Sequence, residues 1–126
     1  MNPETNTEIA RRGYQAIASG DVDGVREFLD PAVKWHAGDP NAVGACQNRQ
    51  DALAFIRQAR ERGRVGELVD VIGAGEKVVM IMRPPASGGE QPDLAANLTT
   101  FRDGKAVEIV HYPSPEDALA AAGIAR

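Results

Sequence analysis

Hydrophobic side chains follow a helical repeat in the first half of the chain and a strand-like repeat in the second. Over residues 3–19 they recur every three or four positions, and Gly20 follows as a typical helix end. Asp21 can cap a short second helix that stops just before Pro31, and Asn48 can cap a third. The first half of the chain is therefore predicted to form three helices.

Residues with strong positional preferences mark the ends of these elements. Asn2 can cap the first helix with Pro3 at its first position, and Gly63 suits the end of the third helix. Ser114 followed by Pro115 has the same cap-and-proline pattern, which predicts a short helix at the end of the sequence.

The second half reads as strands separated by turns. Residues 65–72 form the first of them, and residues 78–82 are almost wholly apolar, which predicts a strand in the middle of a sheet with both faces covered. Residues 84–92 are rich in proline and glycine and are predicted to form an irregular loop. Two further strands meet at Asp103–Gly104, a strong hairpin signal.

The order of these elements predicts the fold class. A short strand over residues 33–37 separates the second and third helices, and the other strands follow the third helix. Helices followed by a run of strands are typical of an α+β domain with the helices packed on one face of the sheet. We expect residues 1–126 to form one domain.

Composition excludes several classes of function. The hydrophobic fraction of 43% and charged fraction of 25% are ordinary for globular proteins, and the net charge of −4 argues against nucleic acid as a partner. No apolar stretch approaches membrane-spanning length, and the start of the sequence lacks the features of a signal peptide. We therefore expect a cytoplasmic protein without a membrane partner.

Metal and cofactor signatures are missing from the sequence. Cys46 is the only cysteine, so neither an internal disulfide nor a cysteine-based zinc site is expected. His36, Asp39 and His111 lack a recognisable metal-ligand spacing, and there is no phosphate loop, dinucleotide fingerprint or serine elbow. We expect no bound metal and no cofactor.

Four local segments together carry a family resemblance. They are the segment from Ala16 to Asp21, the segment from Val33 to His36 with Gly44 in the loop after it, residues 73–79, and the segment from Phe101 to Lys105 with His111 and Tyr112 after it. In this order and spacing they resemble the nuclear transport factor 2-like superfamily and within it the SnoaL-like, polyketide-cyclase-like family.

The resemblance implies a curved, mixed or antiparallel sheet that wraps around three N-terminal helices into a cone, with a short C-terminal helix. The cone is expected to open into an apolar pocket for a small-molecule ligand, and dimers to form through the outer sheet face. The family carries isomerases, epoxide hydrolases, dehydratases and polyketide cyclases, so the resemblance does not imply one activity.

The turn at Asp103–Gly104 allows two hairpin registers, and these place different residues in the pocket. In a two-residue loop Arg102 pairs with Lys105, and Asn97 and His111 then point to opposite faces of the sheet.

In a three-residue loop over residues 102–104, Gly104 adopts the left-handed region and Asn97 pairs with Ile109. We favour this register, because it groups Phe101 and Ile109 on the core face. Asn97 and His111 then share that face.

The polar residues on this face are the main candidates for chemistry. His111 can act as a general acid or base near neutral pH, or fill the rim of the core with one hydrogen bond. Asn97 can orient a ligand or pair with a neighbour, while Phe101 and Ile109 are expected to contact the ligand. Tyr14 on the first helix can present its hydroxyl to the pocket or pack in the core.

The short strand and the loop after it supply further candidates. Alternation predicts that Trp35 lines the cavity and that His36 faces away, unless the loop brings His36 or Asp39 to the opening of the cone. An Asp39–histidine pair would be an acid–base unit. Arg83 ends an apolar strand, where it can bind a carboxylate or remain in solvent.

Two functions are compatible with these residues. The first is an enzyme that transfers a proton next to a carbonyl of a small apolar metabolite, as in cyclisation, isomerisation or dehydration, with His111 as acid or base. The second is a non-catalytic module for ligand binding or dimerisation. A homodimer is expected because Leu98, Val110 and Tyr112 share the outer face of the predicted sheet.

Overall fold

In chain order, three helices come before most of the strands, and one strand lies between the second and third helices. The computed structural model describes residues 5–85 and 93–124. Within these ranges the elements are α1 (Asn6–Ser19), α2 (Val22–Phe28), β1 (Leu29–His36), α3 (Arg49–Glu61), β2 (Glu67–Ala74), β3 (Lys77–Arg83), β4 (Ala95–Arg102), β5 (Lys105–Tyr112) and α4 (Pro115–Ala121).

The helix ends are set by short side chains that satisfy free backbone groups. Asp21 accepts a hydrogen bond from the N–H of Gly24 at the start of α2, and Asn48 accepts one from the N–H of Asp51 at the start of α3. Both caps confirm the predictions. The cap of α1 is Thr5, not the predicted Asn2; Asn2 and Pro3 lie outside the described residues.

Several strand boundaries differ from those predicted. β1 begins at Leu29, directly after α2, because the chain already becomes extended before Pro31. The second strand runs on through Ala74, and Gly75 then makes the turn in the left-handed region with φ 64°. Most of the predicted loop over residues 84–92 lies outside the described residues.

The strands form one mixed sheet in the order β1-β5-β4-β3-β2. β1 runs parallel to β5, whereas the other neighbours are antiparallel. β3 lies inside the sheet between β4 and β2, with both faces covered as predicted: Val78 and Met80 face one hydrophobic cluster, and Val79 and Ile81 face another. The predicted α+β class is confirmed.

The two faces of the sheet pack against different helices. The inner face packs against α1, α2 and α3, and α1 approaches α2 closely because Gly13 has no side chain. A Cβ atom at Gly13 would lie 2.5 Å from the ring of Phe28. The outer face packs under α4 through Ala118 and Leu119.

The β4–β5 hairpin corrects the predicted register. Asp103 and Gly104 have φ angles of 53° and 78° and form a two-residue loop, with Arg102 opposite Lys105. The favoured three-residue loop is therefore wrong, since the Asp-Gly pair already supplies both positive φ angles.

A bulge beyond the loop nevertheless puts Asn97 opposite His111. The pairing passes from Phe101–Ala106 to Thr100–Glu108, so β5 carries one extra residue at this point. The predicted pairing of Asn97 with Ile109 is also wrong, but Asn97 and His111 do share a face.

Candidate functional site

A cavity of about 420 Å³ lies between the inner face of the sheet and helices α1 and α3. This volume is within the range of small-molecule sites. Its lining consists of Tyr14, Ile17, Phe28, Trp35, Phe55, Ile56, Gln58, Ala59, Arg62, Arg64, Val65, Gly66, Met80, Met82, Pro84, Ala95, Asn97, Thr99, Ile109 and His111. Most of these side chains are apolar or aromatic.

Trp35 lines the cavity as predicted, and the surrounding strands determine its position. Its backbone pairs with Cys46 on one side and lies next to Ile109 of β5 on the other. Its ring meets Phe55 of α3 edge to face, with 5.1 Å between ring centroids. The two rings form one apolar wall of the site.

Phe101 does not line the cavity, although we expected it to contact a ligand. It is 2% exposed and packs edge to face against Phe28, with ring centroids 5.7 Å apart. Phe28 itself is part of the cavity lining, whereas Phe101 is not. Ile109 does line the cavity.

His111 and Asn97 meet across the β4–β5 pair. The imidazole Nδ1 lies 3.1 Å from Asn97 Oδ1 and donates to it, which places the proton of the neutral ring on Nδ1. Nε2 has no hydrogen-bond partner among the described residues. The ring is exposed, so Nε2 is an available proton acceptor at the edge of the cavity.

Tyr14 projects from α1 into the same space. Its hydroxyl is buried and has no hydrogen-bond partner in the described part of the chain. Burial, and then the negative charge of Glu67, raise the pKa of Tyr14 above its ordinary value. The hydroxyl therefore stays protonated at neutral pH and is available to donate a hydrogen bond.

The structure places His36 outside the cavity, on the opposite face of the sheet. Its side chain is 6% exposed, and Nε2 lies 3.0 Å from Glu108 Oε2. The N–H of Gly38 donates to Nδ1, so Nε2 carries the proton of the neutral ring and donates to the carboxylate. Both ring nitrogens are occupied, and the expected acid–base role of His36 is not supported.

Asp39 and Arg83 also lie outside the cavity lining. Asp39 accepts a hydrogen bond from the N–H of Asn41 within its own exposed loop, and His36 pairs with Glu108 instead of Asp39. Arg83 follows Met82 on β3, and strand alternation turns it away from the cavity. The expected Asp39–histidine pair is therefore wrong.

Two arginines in the lining did not emerge from the sequence. Arg62 and Arg64 flank Gly63. Gly63 has a φ angle of 66°, in the left-handed region, which confirms the prediction that this glycine ends α3. The N–H of Arg64 bonds to the carbonyl of Ala59, and that of Gly63 to the carbonyl of Arg60. These two hydrogen bonds form a Schellman motif. The sequence predicted its glycine but not that the motif lies beside the cavity.

Membrane and metal signals are both missing among the described residues. None of the described helices is long and apolar enough to cross a membrane. Within residues 5–85 and 93–124, no three His, Cys, Asp or Glu side chains lie close enough together to hold a metal ion.

Comparison with known proteins identifies a family. The model of the SnoaL-like domain matches residues 10–109. No functionally curated protein matches the chain.

Solved structures share the fold. Bal32a, from a soil-derived mobile gene cassette, is 27% identical with a TM-score of 0.70, over 85% of this chain and 87% of that one. A putative polyketide cyclase from Sinorhizobium meliloti is 18% identical with a TM-score of 0.69, over 82% and 93% of the two chains. An NTF2-like protein of unknown function from Burkholderia pseudomallei is 21% identical with a TM-score of 0.67, over 93% and 97%.

Proposed function

Since this chain belongs to the SnoaL-like domain family, we propose that its cavity binds a small, mostly apolar metabolite and transfers a proton next to a carbonyl group. Cyclisation, isomerisation and dehydration all use this step. One structural neighbour is named a putative polyketide cyclase, which is chemistry of the same class. The observation that carries the proposal is the imidazole of His111: Asn97 orients the ring through Nδ1, and Nε2 has no hydrogen-bond partner in residues 5–85 and 93–124.

In the proposed step His111 is the base. Nε2 takes a proton from the carbon beside the carbonyl, and the C–H electron pair moves to form an enolate. Asn97 holds the ring through Nδ1 and stabilises the imidazolium, because its Oδ1 accepts the Nδ1 proton. The same imidazolium then returns the proton to carbon, and no other reactant is needed.

Tyr14 is proposed to stabilise the enolate oxygen. Its buried hydroxyl has no hydrogen-bond partner among the described residues and remains protonated, as its raised pKa indicates. A donor that already lies in an apolar wall needs little reorganisation when negative charge develops on the substrate. The aromatic and aliphatic side chains of the lining surround this position with apolar surface, which strengthens such a hydrogen bond.

Exchange of carbon-bound hydrogen tests the proposal without knowledge of the natural substrate. α-Tetralone is an apolar ketone of suitable size, and its protons beside the carbonyl are replaced in D₂O at a rate that proton NMR measures. We expect the protein to accelerate this exchange, and His111→Ala to lower the acceleration by about a hundredfold or more, the usual contribution of a general base.

His36→Gln is the matched control, because it changes the other histidine of the chain outside the cavity. It should leave the exchange rate within about twofold of the parent after correction for folded protein. Full exchange activity in His111→Ala would overturn the assignment of the base.

The second candidate function is a non-catalytic ligand-binding module. It is favoured by one feature of the described lining: no Asp or Glu side chain accompanies His111, so a second acid–base group is missing there. In that case α-tetralone would raise the melting temperature of the protein without any accelerated exchange.

A further inference from the structure

Positive charge collects on one side of the cavity opening. The exposed members of the lining mark this opening and are Phe55, Gln58, Arg62, Arg64 and His111. Two of them, Phe55 and Gln58, lie on α3, and the two guanidinium groups belong to residues just beyond its last residue, Glu61. The opening thus has a cationic helical side, which faces His111 on the sheet side.

The Schellman turn at the end of α3 brings both guanidinium groups to this opening. Gly63 reverses the chain with φ 66°, so that Arg62 and Arg64 both reach the cavity although one residue separates them. A continued helix would turn these two positions about 200° apart around its axis.

Neither guanidinium group is neutralised by a carboxylate in the described part of the chain. Among the described residues, no carboxylate lies within salt-bridge distance of Arg62 or Arg64, and no Asp or Glu lines the cavity. The whole chain carries a net charge of −4, so this opening is a local exception. An anion entering the apolar space would meet two uncommitted cations.

We propose that the cavity selects apolar molecules that carry a carboxylate, and that Arg62 and Arg64 bind this group at the opening. The inference rests on the proposed function, since it names the substrate class of the same site. A guanidinium group matches a carboxylate through two parallel N–H···O bonds. The carboxylate would stay at the helical side, which leaves the apolar body of the ligand beside His111 and Tyr14.

Naphthoate and naphthamide form a suitable probe pair, because they have nearly the same shape and differ in charge. Isothermal titration calorimetry on the whole chain gives their dissociation constants. We expect naphthoate to bind at least about tenfold more tightly, as is usual for hydrogen bonds to a charged group. The preference should fall severalfold in Arg62→Gln or Arg64→Gln and disappear in the double variant.

Arg57→Gln is the matched control. It removes the same charge from α3, close to the two arginines that follow this helix, but Arg57 borders another groove, of about 260 Å³, and not this cavity. The Arg57→Gln variant should prefer naphthoate over naphthamide to the same extent as the parent protein. Thermal melting of each variant verifies that the protein remains folded.

The outcomes separate this inference from the proposed function. Equal affinity for both probes, or the same loss of preference in Arg57→Gln as in the Arg62 and Arg64 variants, overturns the carboxylate inference and leaves the proton-transfer proposal intact. A preference for naphthoate that depends on the two arginines, without accelerated exchange of α-tetralone, supports the inference and rejects the catalytic proposal.

Discussion

The two histidines show how residues of one type acquire different properties from their neighbours. His111 uses only Nδ1, for Asn97, and keeps Nε2 available in the cavity opening. His36 uses both nitrogens, for Glu108 and Gly38, and is buried on the other face. Only the residue with a free nitrogen can accept a proton from a substrate without breaking an existing hydrogen bond.

Tyr14 carries a buried hydroxyl that has no hydrogen-bond partner among the described residues. A buried hydroxyl without a partner destabilises the folded protein by about 1–3 kcal/mol relative to one that is hydrogen-bonded. Burial also makes the phenolate form unfavourable, which is the main reason that its pKa is raised.

The Tyr14→Phe variant should therefore distinguish the effect of the hydroxyl on folding stability from its effect on proton exchange. At neutral pH we expect this variant to be as stable as the parent or more stable by up to about 1 kcal/mol, because the unpartnered hydroxyl is gone. Urea unfolding measures this difference. Exchange of α-tetralone should slow by about tenfold or more, since the enolate loses its donor. A variant that is clearly less stable and equally active would contradict both expectations.

The same variant should change the response to alkaline pH. The folded-state pKa of Tyr14 lies above its ordinary value of 10.0, so its contribution to stability is fully present below that value and is lost as pH rises through the folded-state pKa. Above about pH 10 the parent should lose stability more steeply than Tyr14→Phe. Urea unfolding at several alkaline pH values measures the two slopes, and equal slopes would contradict the prediction.

Among the elements, the β4–β5 hairpin determines which polar groups reach the cavity. Its tight loop alone would put Asn97 and His111 on opposite faces. The bulge on β5 adds one residue and restores them to the same face, because side chains alternate along a strand.

Two single-residue deletions test this account. Deleting Val107 removes the extra residue, so the Phe101–Ala106 and Thr100–Glu108 pairs become consecutive and Asn97 remains opposite His111. Deleting Ile109 instead shifts the later part of β5 by one position and turns His111 to the outer face.

NMR distance contacts between the Asn97 amide and the His111 ring measure the result. We expect the contact to persist after deletion of Val107 and to vanish after deletion of Ile109. Loss of the contact after deletion of Val107, in a variant that remains folded, would show that the bulge does not set the register.

Among the element boundaries, helix ends were predicted more readily than strand ends, since a helix end depends on neighbouring residues. Asp21, Asn48 and Gly63 act as predicted because a short side chain or a missing Cβ satisfies local backbone needs. The bulge was not predicted, because it depends on contacts of β5 with both of its neighbours in the sheet. Arg62 and Arg64 were missed for a similar reason: their spacing fits a solvated helix face equally well.

For the whole molecule, the outer face of the sheet is the remaining surface of interest. Leu98, Val110 and Tyr112 share this face, as expected, but Leu98 and Val110 are only 6% and 8% exposed. Leu98 belongs to the cluster under α4, so the chain itself already covers part of the patch that suggested a dimer.

We nevertheless propose a homodimer through the outer face, as the family resemblance implies, with α4 bordering the contact. Light scattering at micromolar concentration should give twice the chain mass of 13.4 kDa. Thr100→Arg places a charge on the outer face and should shift the mass to that of a monomer. Gln15→Arg, on the exposed side of α1, should not. A monomer mass for the parent would reject the proposal.

The sequence by itself determined the fold class and most helix ends, because periodicity, caps and turn residues act over a few positions. It also indicated the SnoaL-like family, through the resemblance of four local segments to that family. It also indicated Tyr14, Trp35, Asn97, Ile109 and His111 as residues of the site, and all five line the cavity. The tertiary structure decided which histidine stays free, that Phe101 packs against Phe28 outside the cavity lining, and that the end of α3 adds two arginines. These features depend on contacts between elements far apart in the chain, which no local pattern specifies.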